Sequence, residues 1–208
     1  MRQEKTRCWG EVEWGNSRLM RDYHDCEWGT PLHDDRKLFE FLILEGMQAG
    51  LSWRLILEKR ENFRRAFRGF EPEKVARFTS RDIQRLLNDA GIIRNKLKIL
   101  AAINNAKRFL EVQKEFGTFD RYIWGFVGGK TVDSRLRSFS DMPARTPLSD
   151  IISKDLKARG FKFVGSTVVY SHMQATGMVN DHLVTCFRYR VCGGRAAKQR
   201  KSGASGEE

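Results

Sequence analysis

The sequence predicts an all-α protein. Three observations carry this. Apolar residues recur at three- and four-residue spacing, strict two-residue alternation is almost absent, and capping residues and helix breakers fall between the periodic segments. No repeat of solenoid length is present.

Residues 1–33 read as irregular and unusually aromatic, with Trp9, Trp14, Tyr23 and Trp28. The first helix is expected over 34–49, because Asp34 or Asp35 can cap it. Its apolar run of Leu38, Phe39, Phe41, Leu42, Ile43 and Leu44 ends abruptly on Glu45. Ser52 is placed to cap a second helix through about residue 67, apolar at Leu55, Ile56, Phe63, Ala66 and Phe67. The other face of that helix carries Arg54, Lys59, Arg60, Arg64, Arg65 and Arg68. Pro72 favours a first helical position, opening a short helix to 78. Thr79-Ser80-Arg81-Asp82 resembles a capping box and starts a helix to about 88. A tight break follows over 89–95, then a long helix over 95–116 with Leu97, Leu100, Ile103, Ala106 and Leu110 expected inward. Residues 119–127 form a shorter helix, and 128–146 a loop containing Pro143. A helix over 148–158 follows Pro147 and stops at Gly160. Residues 165–178 read as a helix, and 180–192 as the last ordered stretch.

Hydrophobic residues at 40% and aromatics at 11% of 208 residues support a buried core. One domain over 1–192, in two closely packed helical lobes, is expected. Residues 193–208 contain only small, polar and charged side chains, with nothing to pack, and read as a basic disordered tail. The formal net charge is +12, and removing the tail's four basic and two acidic residues leaves +10. Such an excess on the folded part favours a polyanionic partner, most often nucleic acid. A basic enzyme with an unrelated substrate is the plainer alternative. The N-terminus is polar and charged, which argues against a signal peptide. Residues 163–180 lack Asp, Glu, Lys and Arg, but they hold Ser166, Thr167, Ser171, His172, Gln174, Thr176 and Asn180. A buried helix is expected there, not a membrane span. Without an export signal, the cysteines Cys8, Cys26, Cys186 and Cys192 suit a metal site better than a disulfide framework.

Three constellations carry chemistry. The first is Glu45-Gly46-Met47-Gln48-Ala49-Gly50-Leu51-Ser52-Trp53. An acid at the end of so apolar a run is costly to bury unless it is paired or used. Glycines on both sides let something flat approach the backbone. With Trp9, Tyr23, Trp28 and Trp53, Glu45 could form an aromatic cage for a flat cationic ligand. An aromatic-rich core is the competing reading. The second constellation is Cys8 and His24 with His182 and Cys186, the latter two sharing a face if helical. Two Cys and two His suffice for a tetrahedral structural zinc. Buried free cysteines and satisfied histidines explain the same residues without metal. The third is the hairpin at 88–98, where Gly91 is followed by Arg94, Lys96 and Lys98. It would bind a DNA phosphate without reading sequence, or simply join two helices.

At these residues the chain resembles the DNA-3-methyladenine glycosylase I (TAG) family. The segments that match are Tyr23-His24-Asp25, Glu27-Trp28-Gly29, Leu44-Glu45-Gly46, Gln48-Ala49-Gly50-Leu51-Ser52-Trp53, and Lys59-Arg60-Glu61-Asn62. They continue with Asp89-Ala90-Gly91-Ile92-Ile93-Arg94, Arg159-Gly160-Phe161-Lys162-Phe163-Val164-Gly165, and Val179-Asn180-Asp181-His182 with Cys186. Together they span roughly residues 7–187. The resemblance implies a helix-hairpin-helix DNA glycosylase fold with one structural zinc per chain joining the termini. It implies zinc ligands at Cys8, His24, His182 and Cys186. It implies a base pocket of Glu45, Tyr23, Trp28 and Trp53 with Gln48 nearby, and Glu45 as the catalytic group. Trp9 joins the pocket, although the order here is Cys8-Trp9-Gly10 where the family has Cys-Gly-Trp. Gly91, Arg94 and Lys96 would contact the DNA backbone. Ile93 stands where the wider superfamily often has a second glycine, and no downstream catalytic Asp is expected.

The implied activity is hydrolysis of the N-glycosidic bond of 3-methyladenine in alkylated duplex DNA, leaving an abasic site without strand cleavage. A bacterial, cytoplasmic, monomeric enzyme is expected. The competing class is a zinc-stapled module that recognises alkylated DNA without catalysis.

Overall fold

The structure is a computed structural model and describes residues 5–8 and 17–194. Trp9, Trp14 and most of the basic tail lie outside the described residues. The described chain is mostly helical. Its helices are α1 (Arg18–Cys26), α2 (Asp35–Gln48), α3 (Trp53–Ala66), α4 (Pro72–Ala76), α5 (Ser80–Asn88), α6 (Lys96–Phe116), α7 (Phe119–Gly125), α8 (Pro147–Ala158) and α9 (Ser166–Ala175).

The starts of these helices follow from side chains that satisfy otherwise orphaned backbone N–H groups. Asp34 accepts from Lys37 N before α2, Ser52 from Leu55 N before α3, and Asn95 from Lys98 N before α6. Thr79 and Asp82 close the expected capping box at α5, and Pro72 and Pro147 occupy first-turn positions of α4 and α8.

The centre of the fold is α2. Every residue from Leu38 to Met47 is buried, Glu45 included. A helix buried all round must be enclosed by neighbours, and α3, α6, α7 and α9 pack against it. Each large apolar side chain so enclosed contributes about 1.5–3 kcal/mol of transfer free energy. This places the last turn of α2, and with it Glu45 and Gln48, at a fixed point between the other helices.

Four expectations are corrected. Residues 18–26 form α1, inside a stretch that reads as irregular. Its buried residues are only Met20, Tyr23 and His24, two of them polar, so apolar spacing gives little signal. Leu97 and Leu100 point outward, 69% and 39% exposed. The buried face of α6 runs instead through Ile99, Ala102, Ile103, Ala106, Phe109 and Val112, because α6 offers two apolar stripes and α4 and α2 cover this one. The 128–146 loop and the end of the uncharged segment meet in a small parallel pair, β1 (Val132–Asp133) and β2 (Val179–Asn180). Residues 182–186 are turns, not helix. Among the described residues, no helix is long and apolar enough to cross a membrane.

Candidate functional site

A cavity of about 450 Å³ opens between α1, the α2–α3 junction and α9. Tyr23 from α1 and Trp28 just beyond it form part of the wall. Glu45 and Gln48 come from the last two turns of α2, and Trp53 from the first turn of α3. The structure thus brings together all the expected pocket residues that it describes. Tyr23 and Trp53 lie with ring centroids 5.6 Å apart, tilted by 51°, and Phe41 stacks behind Trp53 at 6.5 Å. Gly50 takes φ +80° and makes the turn between α2 and α3, a conformation that side-chain-bearing residues avoid. Gly46 does not face the cavity as expected; it lies against Phe163.

Glu45 is 4% exposed, and no described residue makes a hydrogen bond or ion pair with it. Burial alone pushes its carboxyl up to about 8. A buried acid is normally paired, so an unpaired one that lines a cavity is held ready for a ligand. A cation is the ligand that would return the lost solvation. Burial, and then the charge of Glu45, raises the Tyr23 phenol well above its usual value, so Tyr23 stays neutral.

Behind this wall, Cys8, His24, His182 and Cys186 converge, all buried, with their donor atoms within 4.8 Å of one another. His24 Nε2 lies 3.3 Å from Cys8 Sγ and 3.5 Å from Cys186 Sγ. His182 Nδ1 lies 3.3 and 3.6 Å from the same two sulfurs. Zinc bonds of about 2.0–2.3 Å at tetrahedral angles put ligand atoms roughly 3.3–3.8 Å apart. The four residues therefore fit a tetrahedral ion of that size. The outer ring nitrogens are also engaged, as metal-ligating histidines require. His24 Nδ1 pairs with Asp25 Oδ1 at 2.8 Å, Arg7 holds that carboxylate, and His182 Nε2 faces the Trp28 carbonyl. Hydrogen bonding between the two thiols, with burial, raises Cys8, while the same bond and the donors around Cys186 lower Cys186. Gly29 is required here: it takes φ +74°, and a Cβ would stand 2.8 Å from His182 Nε2. Cys192, buried beside the cluster, and exposed Cys26 are not members.

The hairpin joins α5 to α6, and Arg94 and Lys96 are exposed at its tip. The Gly91 N–H is already taken by Asp89 Oδ1 at 2.8 Å. A Cβ at Gly91 would meet Asp89 and Asn62 at 2.9–3.1 Å, so glycine here permits close approach to α3. Lys59 Nζ donates to the Ala90 and Gly91 carbonyls, and Asn62 Nδ2 to Gly91 O. Lys98 turns inward, and its Nζ donates to Met47 O and Ala49 O at the end of α2. The block Lys59-Arg60-Glu61-Asn62 therefore has two structural jobs. Lys59 and Asn62 hold the hairpin, while Arg60 joins Glu27 and Glu40 beneath the end of α1.

Comparison with known proteins now decides the family. A family model described as methyladenine glycosylase matches residues 14–189. The chain belongs to the methyladenine glycosylase family. DNA-3-methyladenine glycosylase 1 of Escherichia coli K12 is 50% identical over 167 residues, covering 80% of this chain and 89% of that protein. DNA-3-methyladenine glycosylase of Haemophilus influenzae is 44% identical over 172 residues, covering 83% and 93%. Among solved structures, a 3-methyladenine DNA glycosylase I (TAG) superposes with a TM-score of 0.83 at 46% identity, covering 88% of this chain and 98% of that one. The Staphylococcus aureus TAG, described in terms of 3-methyladenine recognition, gives 0.82 at 37% identity, covering 88% and 95%.

Other residues also line the cavity of this family member. Met20 completes the α1 wall, Ser52 and Arg54 flank Trp53, and Ser171 and Gln174 come from α9. Ser171 and Gln174 lie three apart, on one face of α9.

Proposed function

We propose that the protein is a DNA base-excision glycosylase that hydrolyses the N-glycosidic bond of 3-methyladenine and leaves an abasic site. The observation that carries this reading is Glu45: buried, unpaired and lining a cavity that also presents Tyr23, Trp28 and Trp53. Methylation at the 3-position gives the adenine ring a positive charge, and the base leaves as a neutral molecule. The bond is therefore weak already, and a modest site suffices. The damaged nucleotide is extruded from the duplex into the cavity. Its ring stacks on the aromatic walls, where a cationic face gains cation–π attraction that neutral adenine lacks. Glu45 gives up its proton to solvent as it receives the charged base. As the C1′–N9 bond breaks, its electron pair leaves with the neutral base, the carboxylate stabilises the developing sugar cation, and water adds to C1′ and loses one proton to solvent. No amine nucleophile lines the cavity among the described residues, which accords with base release without strand cleavage.

The remaining parts serve this reaction. Cys8, His24, His182 and Cys186 hold one structural zinc, whose four protein ligands leave no open position for chemistry. It ties the N-terminal segment to the C-terminal one and backs the Trp28 wall. The α5–α6 pair acts as the helix-hairpin-helix element. Arg94 and Lys96 grip the phosphates, and Gly91 shapes the turn. The intact unit is a monomeric domain over 1–192 acting on duplex DNA in the bacterial cytoplasm. Trp9 would add to the pocket from the N-terminal segment.

The test pairs single-turnover release of 3-methyladenine with DNA binding for the protein and its Glu45→Gln variant. The expected result is a loss of excision of about 100-fold at nearly unchanged affinity for undamaged duplex. Equal excision by the variant removes Glu45 from the mechanism. Binding of alkylated DNA with no release by either protein would instead identify a non-catalytic recognition module.

A further inference from the structure

Gln174 projects from α9 into the wall of the cavity. Its Nε2 donates to Asp181 Oδ2 at 2.7 Å, and the same oxygen receives the Tyr170 hydroxyl at 2.6 Å. Asp181 and Tyr170 are almost fully buried, 1% and 2% exposed. A carboxylate oxygen that takes both hydrogen bonds acts only as an acceptor, so it fixes which end of the amide it meets. The NH₂ group of Gln174 must face Asp181. Its carbonyl Oε1 is then the free end, and no described residue donates to it. Gln48 is fixed in the same sense, because its Nε2 donates to the Leu51 carbonyl at 2.8 Å. In both amides the NH₂ end is turned to a protein acceptor, which leaves the carbonyl oxygen as the end without a protein partner among the described residues.

We propose that Gln174 is a specificity-determining residue that accepts a hydrogen bond from the exocyclic amino group of the flipped purine, and that Asp181 is the positioning residue that holds it in that orientation. The inference rests on the glycosylase reading above and names what that site selects. A purine with an amino group at its 6-position gives a donor to this wall. A purine with a 6-carbonyl sets acceptor against acceptor and leaves a buried polar group unpaired, which is how a hydrogen-bonding site rejects a near-isostere. Charge then selects alkylated over normal bases, while the fixed amides select adenine-type over guanine-type rings.

The experiment measures inhibition of 3-methyladenine excision by two free bases, 3-methyladenine and 3-methylhypoxanthine, its 6-carbonyl counterpart. The full chain should prefer the amino base by roughly 10-fold or more. Gln174→Met keeps the side-chain length and removes the amide, so the preference should collapse towards unity. Asp181→Asn can donate as well as accept, which lets the amide turn, and should narrow the preference similarly. Tyr170→Phe, which leaves the Gln174–Asp181 bond in place, should retain it. Melting temperature and zinc content are measured for each variant, since Asp181 adjoins His182. If Asp181→Asn loses zinc, Gln174→Met decides, with Gln174→Ala as a second variant should the first not fold. An unchanged preference in the folded Gln174 variants overturns the inference. A parent protein that releases no 3-methyladenine overturns the glycosylase reading instead, so the two failures are distinguishable.

Discussion

His182 Nε2 donates to the backbone carbonyl of Trp28 across 3.0 Å, and the Trp28 ring meets the same imidazole edge-on with centroids 4.7 Å apart. The opposite ring nitrogen of His182 faces the sulfurs of Cys8 and Cys186. One imidazole therefore joins the cluster of Cys8, His24, His182 and Cys186 to the wall of the base cavity. If these four residues hold the proposed zinc, chelation should lower the melting temperature by ~10 °C or more. It should also weaken binding of free 3-methyladenine, because Trp28 loses its support. Thermal scans and base-binding titrations before and after zinc is restored check both effects; base binding unaffected by chelation would separate the cluster from the site.

Glu45 makes stability depend on pH in a definite direction. Its folded-state pKa, about 8, lies above the ordinary 4.5. Between those values the unfolded chain releases a proton that the folded chain retains, so stability is fully present below about pH 4.5 and falls as pH rises towards 8. The limiting slope is about 1.4 kcal/mol per pH unit, lessened here because the cavity opens to water. Glu45→Gln removes this slope. Melting curves should coincide for the two proteins near pH 4.5, with the variant more stable above pH 8.

Lys98, in the first turn of α6, ties the hairpin to the end of α2 through Met47 O and Ala49 O. Lys98→Met leaves both carbonyls without that donor and should cost about 2–3 kcal/mol in a denaturant titration. Because the last turn of α2 carries Glu45 and Gln48, excision should fall further than unfolding alone accounts for, under conditions where the variant remains folded.

Arg94 and Lys96 sit exposed at the hairpin tip, away from the cavity lining. The double change to alanine should weaken duplex binding evenly across sequences and reduce the salt dependence of log K by about 2. Free-base binding should not change. Binding isotherms at several salt concentrations, set beside base titrations, distinguish a phosphate grip from a general loss of structure.

The helices α2 to α5 and α8 are legible because their starts are spelled in single residues: Asp34, Ser52, Pro72, Thr79 with Asp82, and Pro147. α1 is not legible, since its buried face is a methionine, a tyrosine and a histidine whose burial depends on the cavity and the cluster. The metal cluster could be read only as four suitable residues. Its two halves lie more than 150 positions apart, and the turns over 182–186, not a helix, bring His182 and Cys186 together. The buried acid of the site was visible in the abrupt end of the α2 apolar run. Gln174 was hidden because its meaning comes from Asp181, seven residues on, which settles the direction of its amide.

Release of bases from methylated duplex DNA, with each product identified by mass, tests the central claim most directly. The expected result is free 3-methyladenine and an intact strand that breaks at the abasic site only on alkaline treatment. Tight, salt-sensitive binding to the same DNA with no base released would contradict it.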